Sequence, residues 1–125
     1  MRGLCLSLCL VVGLVLSTGC AARTMTAKEL ALSAFDLSAA IDDAEQQSYA
    51  AGLYDQQKHQ MLDDIVTRLL VAARGFDQAV SGVTDQPIGN ARDTFVLALD
   101  DLEKVIAGIP KLETAVKALR ALVGS

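Results

Sequence analysis

Apolar residues recur at alternating intervals of three and four along most of this chain, and this spacing constrains the fold more than any other feature. Side chains at these intervals share one face of an α-helix, so the spacing predicts amphipathic helices rather than strands. Gly52, Pro87 and Pro110 interrupt the pattern and divide it into four segments. Short breaks favour antiparallel neighbours, so we predict an all-α domain over residues 27–125, a small antiparallel up-down bundle of three longer helices and one short C-terminal helix.

The ends of the predicted helices carry recognisable capping residues. Thr26 precedes the first helix with Glu29 three residues later, which is the pattern of a capping box, and Gly52 ends that helix. Asp55 is the predicted cap of the second helix and Asn90 that of the third, while Pro110 suits the first turn of the fourth.

Each predicted helix has its own apolar stripe, which we expect to face the core. The first stripe contains Ala27, Leu30, Ala34, Leu37, Ile41, Ala44, Ser48 and Ala51, of which only Ser48 is polar. The broader second stripe contains Leu62, Ile65, Leu69, Ala72, Phe76, Ala79 and Val83, and is widened by Met61, Val66, Leu70, Ala73 and Val80. The third contains Ile88, Ala91, Phe95, Ala98, Leu102, Val105 and Ile109, and the fourth Leu112, Ala115, Val116, Leu119, Leu122 and Val123.

The N-terminal residues have a different pattern. Arg2 precedes an apolar run over residues 4–16, and small residues follow at 17–20. A positive charge, an apolar run and then small residues are typical of a secretory signal. The run is short for a membrane-spanning helix, which needs about 20 apolar residues. An uncleaved membrane anchor is the alternative.

The five residues that end this segment, Leu16-Ser17-Thr18-Gly19-Cys20, resemble the lipobox of bacterial lipoproteins. The resemblance implies cleavage between Gly19 and Cys20, after a diacylglycerol has been attached to the Cys20 thiol. Residues 1–19 are then the signal peptide and residues 20–26 a lipidated tether to the membrane. Ser17 departs from the class, because leucine is usual there. Ala21 resembles an outer-membrane sorting signal, which implies a protein of the cell envelope facing the periplasm.

Cysteine content and charge exclude several classes of function. The chain has three cysteines, and because Cys5 and Cys9 lie in the signal, Cys20 is the only thiol expected afterwards. No disulfide and no cysteine metal site are therefore predicted. The net charge of −4 becomes one unit more negative once Arg2 is removed, and no block of basic residues occurs. This charge pattern argues against nucleic-acid binding.

The only histidine offers a weak metal site. His59 lies four residues from both Asp55 and Asp63, so the three side chains form a row on one helix face. Such a row could present two carboxylates and an imidazole to a metal ion. The other interpretation, in which Asp55 caps the helix and Asp63 faces water, is preferred, so neither a metal nor another cofactor is expected.

Other polar residues suggest no catalytic site. The acid pairs Asp42-Asp43, Asp63-Asp64 and Asp100-Asp101 are interpreted as solvated, because adjacent helical residues point about 100° apart and do not share a site. No nucleophile motif occurs, so no enzyme is predicted. Tyr49 and Tyr54 flank the first turn, where they either mark a contact patch or plug the end of the bundle with their hydroxyls in water.

These features predict an envelope lipoprotein that acts without catalysis, through contact with another envelope protein. It would be an adaptor, an assembly factor or an exclusion factor, held at the membrane by Cys20. The alternative is a helical module that binds a small apolar ligand or a metal between its helices. An internal cavity would favour the ligand module, whereas an exposed apolar stripe would favour the adaptor.

Overall fold

The computed structural model describes residues 25–124, in which four α-helices and no strands are found. The helices are α1 (Ala27–Ala50), α2 (Gln56–Val80), α3 (Ile88–Glu103) and α4 (Pro110–Val123). The predicted all-α fold of three longer helices and one short C-terminal helix is therefore confirmed, with α4 at 14 residues the shortest.

Polar contacts between helix ends identify the antiparallel arrangement. Lys28 Nζ donates a 2.8 Å hydrogen bond to Ser81 Oγ, which joins the start of α1 to the end of α2. Lys111 Nζ donates at 3.0 Å to Gln47 Oε1, so the start of α4 lies beside the end of α1. Because α1 packs on α2 and α4, and α3 packs on α2 and less extensively on α4, the helices surround one core in an up-down bundle.

Two of the predicted caps are present, and the third is wrong. The capping box of α1 forms in both directions, since Thr26 Oγ1 accepts from the amide of Glu29 and Glu29 Oε1 accepts from the amide of Thr26. Asp55 Oδ1 accepts from the amide of Lys58 at 2.8 Å and caps α2. Helix α3, however, begins at Ile88 with Pro87 at its N-cap and no side-chain cap, so Asn90 lies inside the helix. Pro87 has the extended backbone conformation that is usual for the residue preceding a helix, and it supplies no side-chain acceptor.

The core contains apolar residues of all four helices, and α2, α3 and α4 contribute most of them. Phe76 and Phe95 face each other across α2 and α3 with ring centroids 6.3 Å apart. Three predicted core residues of these helices are instead exposed: Val83 by 70%, Ile88 by 44% and Met61 by 40%. Val83 follows the end of α2 in the connecting loop, and Ile88 is the first residue of α3, so neither is carried onto an inward face.

The inward face of α1 differs from its predicted stripe. Ala34, Ile41 and Ser48 are buried as expected, but the other buried positions of the helix are Ala31, Ser38 and Glu45. The true face is therefore rotated toward polar residues. Ser38 can be buried because its hydroxyl donates to the carbonyl of Ala34 at 2.7 Å, so its own donor is paired.

Candidate functional site

A buried carboxylate is the most unusual feature of the bundle. The side chain of Glu45 lies on the inward face of α1 near its C-terminal end and has no exposed surface. Burying a carboxylate away from water is costly unless hydrogen bonds or an opposite charge compensate it. Residues beside Glu45 must therefore provide that compensation, and together they define the candidate site.

Two side chains from beyond the first turn hold one oxygen of Glu45. The hydroxyl of Tyr54 lies 2.9 Å from Glu45 Oε2 and 2.6 Å from the main-chain carbonyl oxygen of the same residue, so both acceptors share its one hydrogen. His59 Nδ1 lies 2.6 Å from Oε2. Because a carboxylate oxygen accepts, Nδ1 is the protonated nitrogen of the ring in this contact.

Aromatic stacking fixes the imidazole against Glu45. The ring of Tyr49 lies parallel to that of His59, with centroids 4.0 Å apart and planes 3° apart, and the Tyr54 ring follows at 6.1 Å from Tyr49. The two tyrosines do lie at the end of the bundle. The Tyr54 hydroxyl, however, bonds to Glu45 rather than facing water, and burial and then the Glu45 carboxylate raise its pKa above the ordinary value.

The second oxygen of Glu45 has no such partner. In the part of the chain that the structure describes, Oε1 is buried without a hydrogen-bond partner, as is the hydroxyl oxygen of Ser48 one turn later. Buried polar atoms are rarely left unsatisfied, because each costs about 1–3 kcal/mol. The contacts with His59 and Tyr54 therefore use only one oxygen of the Glu45 carboxylate and leave the other available to a ligand.

Two further carboxylates lie close to Glu45. One oxygen from each of Asp42, Glu45 and Asp63 lies within 4.8 Å of the others, and the group runs from the buried Glu45 through the half-buried Asp42 to the exposed Asp63. Burial, and then the charges of Asp63, Asp43 and Glu45, raise the pKa of Asp42, while the amide of Gln46 opposes the shift by donating to Asp42 Oδ2 at 3.2 Å. We call these three residues the acidic cluster.

The three residues of the predicted metal row, Asp55, His59 and Asp63, have different partners in the structure. Asp55 caps α2, His59 pairs with Glu45, and Asp63 joins the acidic cluster. Sequence reasoning missed Glu45, and it interpreted Asp42 as solvated. A signal was present, since Glu45 follows Ile41 by four and precedes Ser48 by three, and so lies on one face with two predicted core positions.

The Glu45–His59 pair resembles part of a hydrolytic triad only in its simplest geometry. A carboxylate holds Nδ1, which orients an imidazole as a general base requires. Within residues 25–124, however, no serine or threonine hydroxyl forms a hydrogen bond with His59. Among these residues, the arrangement positions a carboxylate and an imidazole without a hydroxyl bonded to the ring.

An apolar groove runs along the outside of α2 and α3. It has a volume of about 390 Å³ and is open to solvent. Val71 and Leu97 line it from opposite helices and are 67% and 65% exposed. The charged side chains of Arg68 and Asp101 also line it. Exposed aliphatic side chains facing each other across a groove are a typical feature of interaction surfaces.

The predicted lipidation and cleavage residues, Gly19 and Cys20, lie outside the described residues, as do Cys5 and Cys9. From residue 25 to 124, none of the helices combines the length and the apolar content needed to cross a bilayer.

Comparisons of the chain with family models, curated proteins and solved structures found no match.

Proposed function

We propose that this chain is a lipid-anchored protein of a bacterial envelope that acts without catalysis, by docking its helical bundle onto another envelope protein. The lipobox-like residues 16–20 support the anchor, and Ala21 supports an outer-membrane location facing the periplasm. The single observation that supports docking is the α2–α3 groove, with Val71 and Leu97 exposed on its two sides.

The form of the groove favours a helical segment as its occupant. Antiparallel helices leave a long depression between them, into which the ridge of a third helix can insert. Arg68 and Asp101 add opposite charges to the apolar lining, so a helix with an apolar stripe and charged flanks of both signs is complementary. A small apolar ligand is a poorer match, because ligand pockets usually enclose most of their ligand and this groove is open.

The length of the tether limits where such a partner can be. Six residues separate Cys20 from the first residue of α1, Ala27. An extended chain covers at most about 3.5 Å per residue, so the bundle starts within roughly 25 Å of the lipid. The proposed partner therefore docks onto the bundle close to the membrane.

Anchoring is tested with Cys20→Ser in cells that are labelled with fatty acid. The parent is expected to carry label and to fractionate with membranes, whereas the variant is expected to lose both properties. Undiminished label in the variant would contradict the lipid anchor.

Docking is tested by placing a photo-crosslinking side chain at Val71 or Leu97 of the full chain in cells. A crosslink to one envelope protein is expected from both positions. The exposed residue Ala118 on α4 is the control position, from which that product should be absent. Adding Leu97→Lys to the chain that carries the probe at Val71 should abolish the product. Equal crosslinking from Ala118, or persistence with the lysine present, would contradict docking through this groove.

A further inference from the structure

We propose that the acidic cluster, Asp42, Glu45 and Asp63, is a binding site for a single hard divalent cation, with Ca²⁺ the best match. The inference is independent of the lipid anchor and of the groove, because it depends only on side chains of α1 and α2. The site would join the two helices through carboxylate ligands from both.

The ligand atoms indicate which class of cation fits. Three carboxylates offer only oxygen, which is the preference of Ca²⁺, Mg²⁺ and Mn²⁺ rather than of softer metals. Two ligands of one ion can be no further apart than twice the metal–ligand distance. For Ca²⁺, with bonds of about 2.3–2.6 Å, that limit is about 5 Å, and for Mg²⁺ it is about 4.2 Å. No two of these oxygens are more than 4.8 Å apart, which lies within the Ca²⁺ limit. Ca²⁺ also accepts irregular coordination, whereas Mg²⁺ requires a near-ideal octahedron.

The charges around the cluster favour a cation. Apart from the contact of His59 with Glu45, the ion pairs found in residues 25–124 do not involve Asp42, Glu45 or Asp63, and none joins a lysine or arginine to them. Arg68 pairs instead with Asp64, the neighbour of Asp63. The three carboxylates therefore repel one another, and a bound cation would convert that repulsion into attraction.

The free oxygen of Glu45 points to a ligand independently of the charge count. Glu45 is fully buried, and its Oε1 has no hydrogen-bond partner among residues 25–124, although Tyr54 and His59 both contact Oε2. A metal bond to Oε1 would satisfy the free oxygen. Tyr54 and His59 would then orient the ligand, as outer-shell hydrogen bonds do in established metal sites.

Access to the site comes from the solvent side. Asp63 is exposed and Asp42 half-buried, so an ion can enter past them and reach Glu45. Three carboxylates do not complete the six to eight oxygens that Ca²⁺ takes, and water can supply the remainder on the exposed side.

The proposal is tested by calorimetric titration of the full chain, held in detergent micelles at about 0.15 M salt, with CaCl₂, MgCl₂ and ZnCl₂. We expect one Ca²⁺ ion per chain and weaker binding of Mg²⁺. Asp42→Asn and Asp63→Asn should each weaken Ca²⁺ binding by at least about tenfold, since loss of even an outer-shell partner commonly costs about 10–100-fold.

The sequence provides matched controls, because each of the two aspartates has an aspartate neighbour outside the cluster. Asp43→Asn and Asp64→Asn change the net charge equally without removing a ligand, so they should weaken Ca²⁺ binding much less than the cluster variants do. Absence of saturable Ca²⁺ binding by the parent would overturn the proposal, as would equal losses in the control variants. Binding of Zn²⁺ without Ca²⁺ would overturn the oxygen-ligand assignment. These variants keep Glu45, so the test does not require removal of a buried side chain.

Discussion

His59 Nδ1 lies 2.6 Å from Glu45 Oε2, and this contact joins the first turns of α2 to the last turns of α1. The two residues are 14 positions apart, with the tight turn between them. Glu45 is buried and the His59 side chain is one quarter exposed, so the pair is a polar connection at the margin of the core. The hydrogen bond from His59 compensates part of the cost of burying the Glu45 carboxylate.

The stability effects of changing Glu45 and His59 should depend on each other. His59→Phe keeps a ring beside Tyr49 but removes the donor to Glu45, and we expect it to destabilise the fold by about 1–3 kcal/mol. The double variant Glu45→Leu/His59→Phe should recover much of that loss, because the buried carboxylate is removed together with its partner. Urea unfolding of both variants measures the difference. A double variant less stable than His59→Phe would show that the site does not tolerate an apolar pair.

Tyr54 should ionise only at unusually high pH. The Tyr49→Phe variant keeps the stacked ring and leaves Tyr54 as the only phenol, since the chain has two tyrosines. Burial and the adjacent Glu45 raise the Tyr54 pKa above its ordinary value of 10.0. Phenolate absorbance in the folded variant should therefore appear above that pH. The same variant in denaturant, where the pKa returns to about 10, is the control, and coincident titrations would contradict the hydrogen bond.

Acid should loosen the start of α1 through Glu29. Its hydrogen bonds to the backbone and the side chain of Thr26 lower its pKa below 4.5. A lowered pKa in the folded state means that the stabilisation is present above the unfolded pKa and is lost as pH falls through the folded pKa. Glu29→Gln keeps the capping geometry without an acid that titrates. The free energy of unfolding of this variant, measured in denaturant, should change less than that of the parent over this acidic range. Identical pH profiles would show that Glu29 is not responsible for the loss of stability.

Two leucines with opposite environments test the core. Leu69 is fully buried in α2, whereas Leu97 on α3 is 65% exposed. Leu69→Ala should cost about 2–5 kcal/mol, because it leaves a cavity. Leu97→Ala is the matched control and should change the free energy of unfolding by at most about 0.5 kcal/mol. Similar losses in the two variants, measured in denaturant, would mean that the inward face of the bundle is assigned incorrectly.

Helix boundaries and most inward faces could be predicted from the sequence because they depend on local rules. The capping box at Thr26, the cap at Asp55 and the start of α4 at Pro110 follow from residues within one turn of each position. The start of α3 was misplaced, because the sequence favoured a side-chain cap at Asn90 where the structure has an uncapped start after Pro87.

The candidate site could be predicted only in fragments. His59 and Asp63 were identified as candidates from their spacing on one helix, but their partners Glu45 and Asp42 come from another helix and depend on how the two pack. The rotation of α1 toward Ser38 and Glu45 also depends on packing. A hydrophobic pattern predicts that polar residues face solvent. It contains no information that Tyr54 and His59 would compensate the burial of Glu45.

The unpartnered Oε1 of Glu45 also has a consequence for the turnover of this protein. A cation that binds only the folded bundle stabilises it by mass action, by about 2.7 kcal/mol when its concentration is a hundred times the dissociation constant. Proteases remove unfolded molecules, so a shift of this size changes the amount of protein that persists in a cell. The level of the protein in the envelope would therefore follow the supply of the cation, without any change in its synthesis.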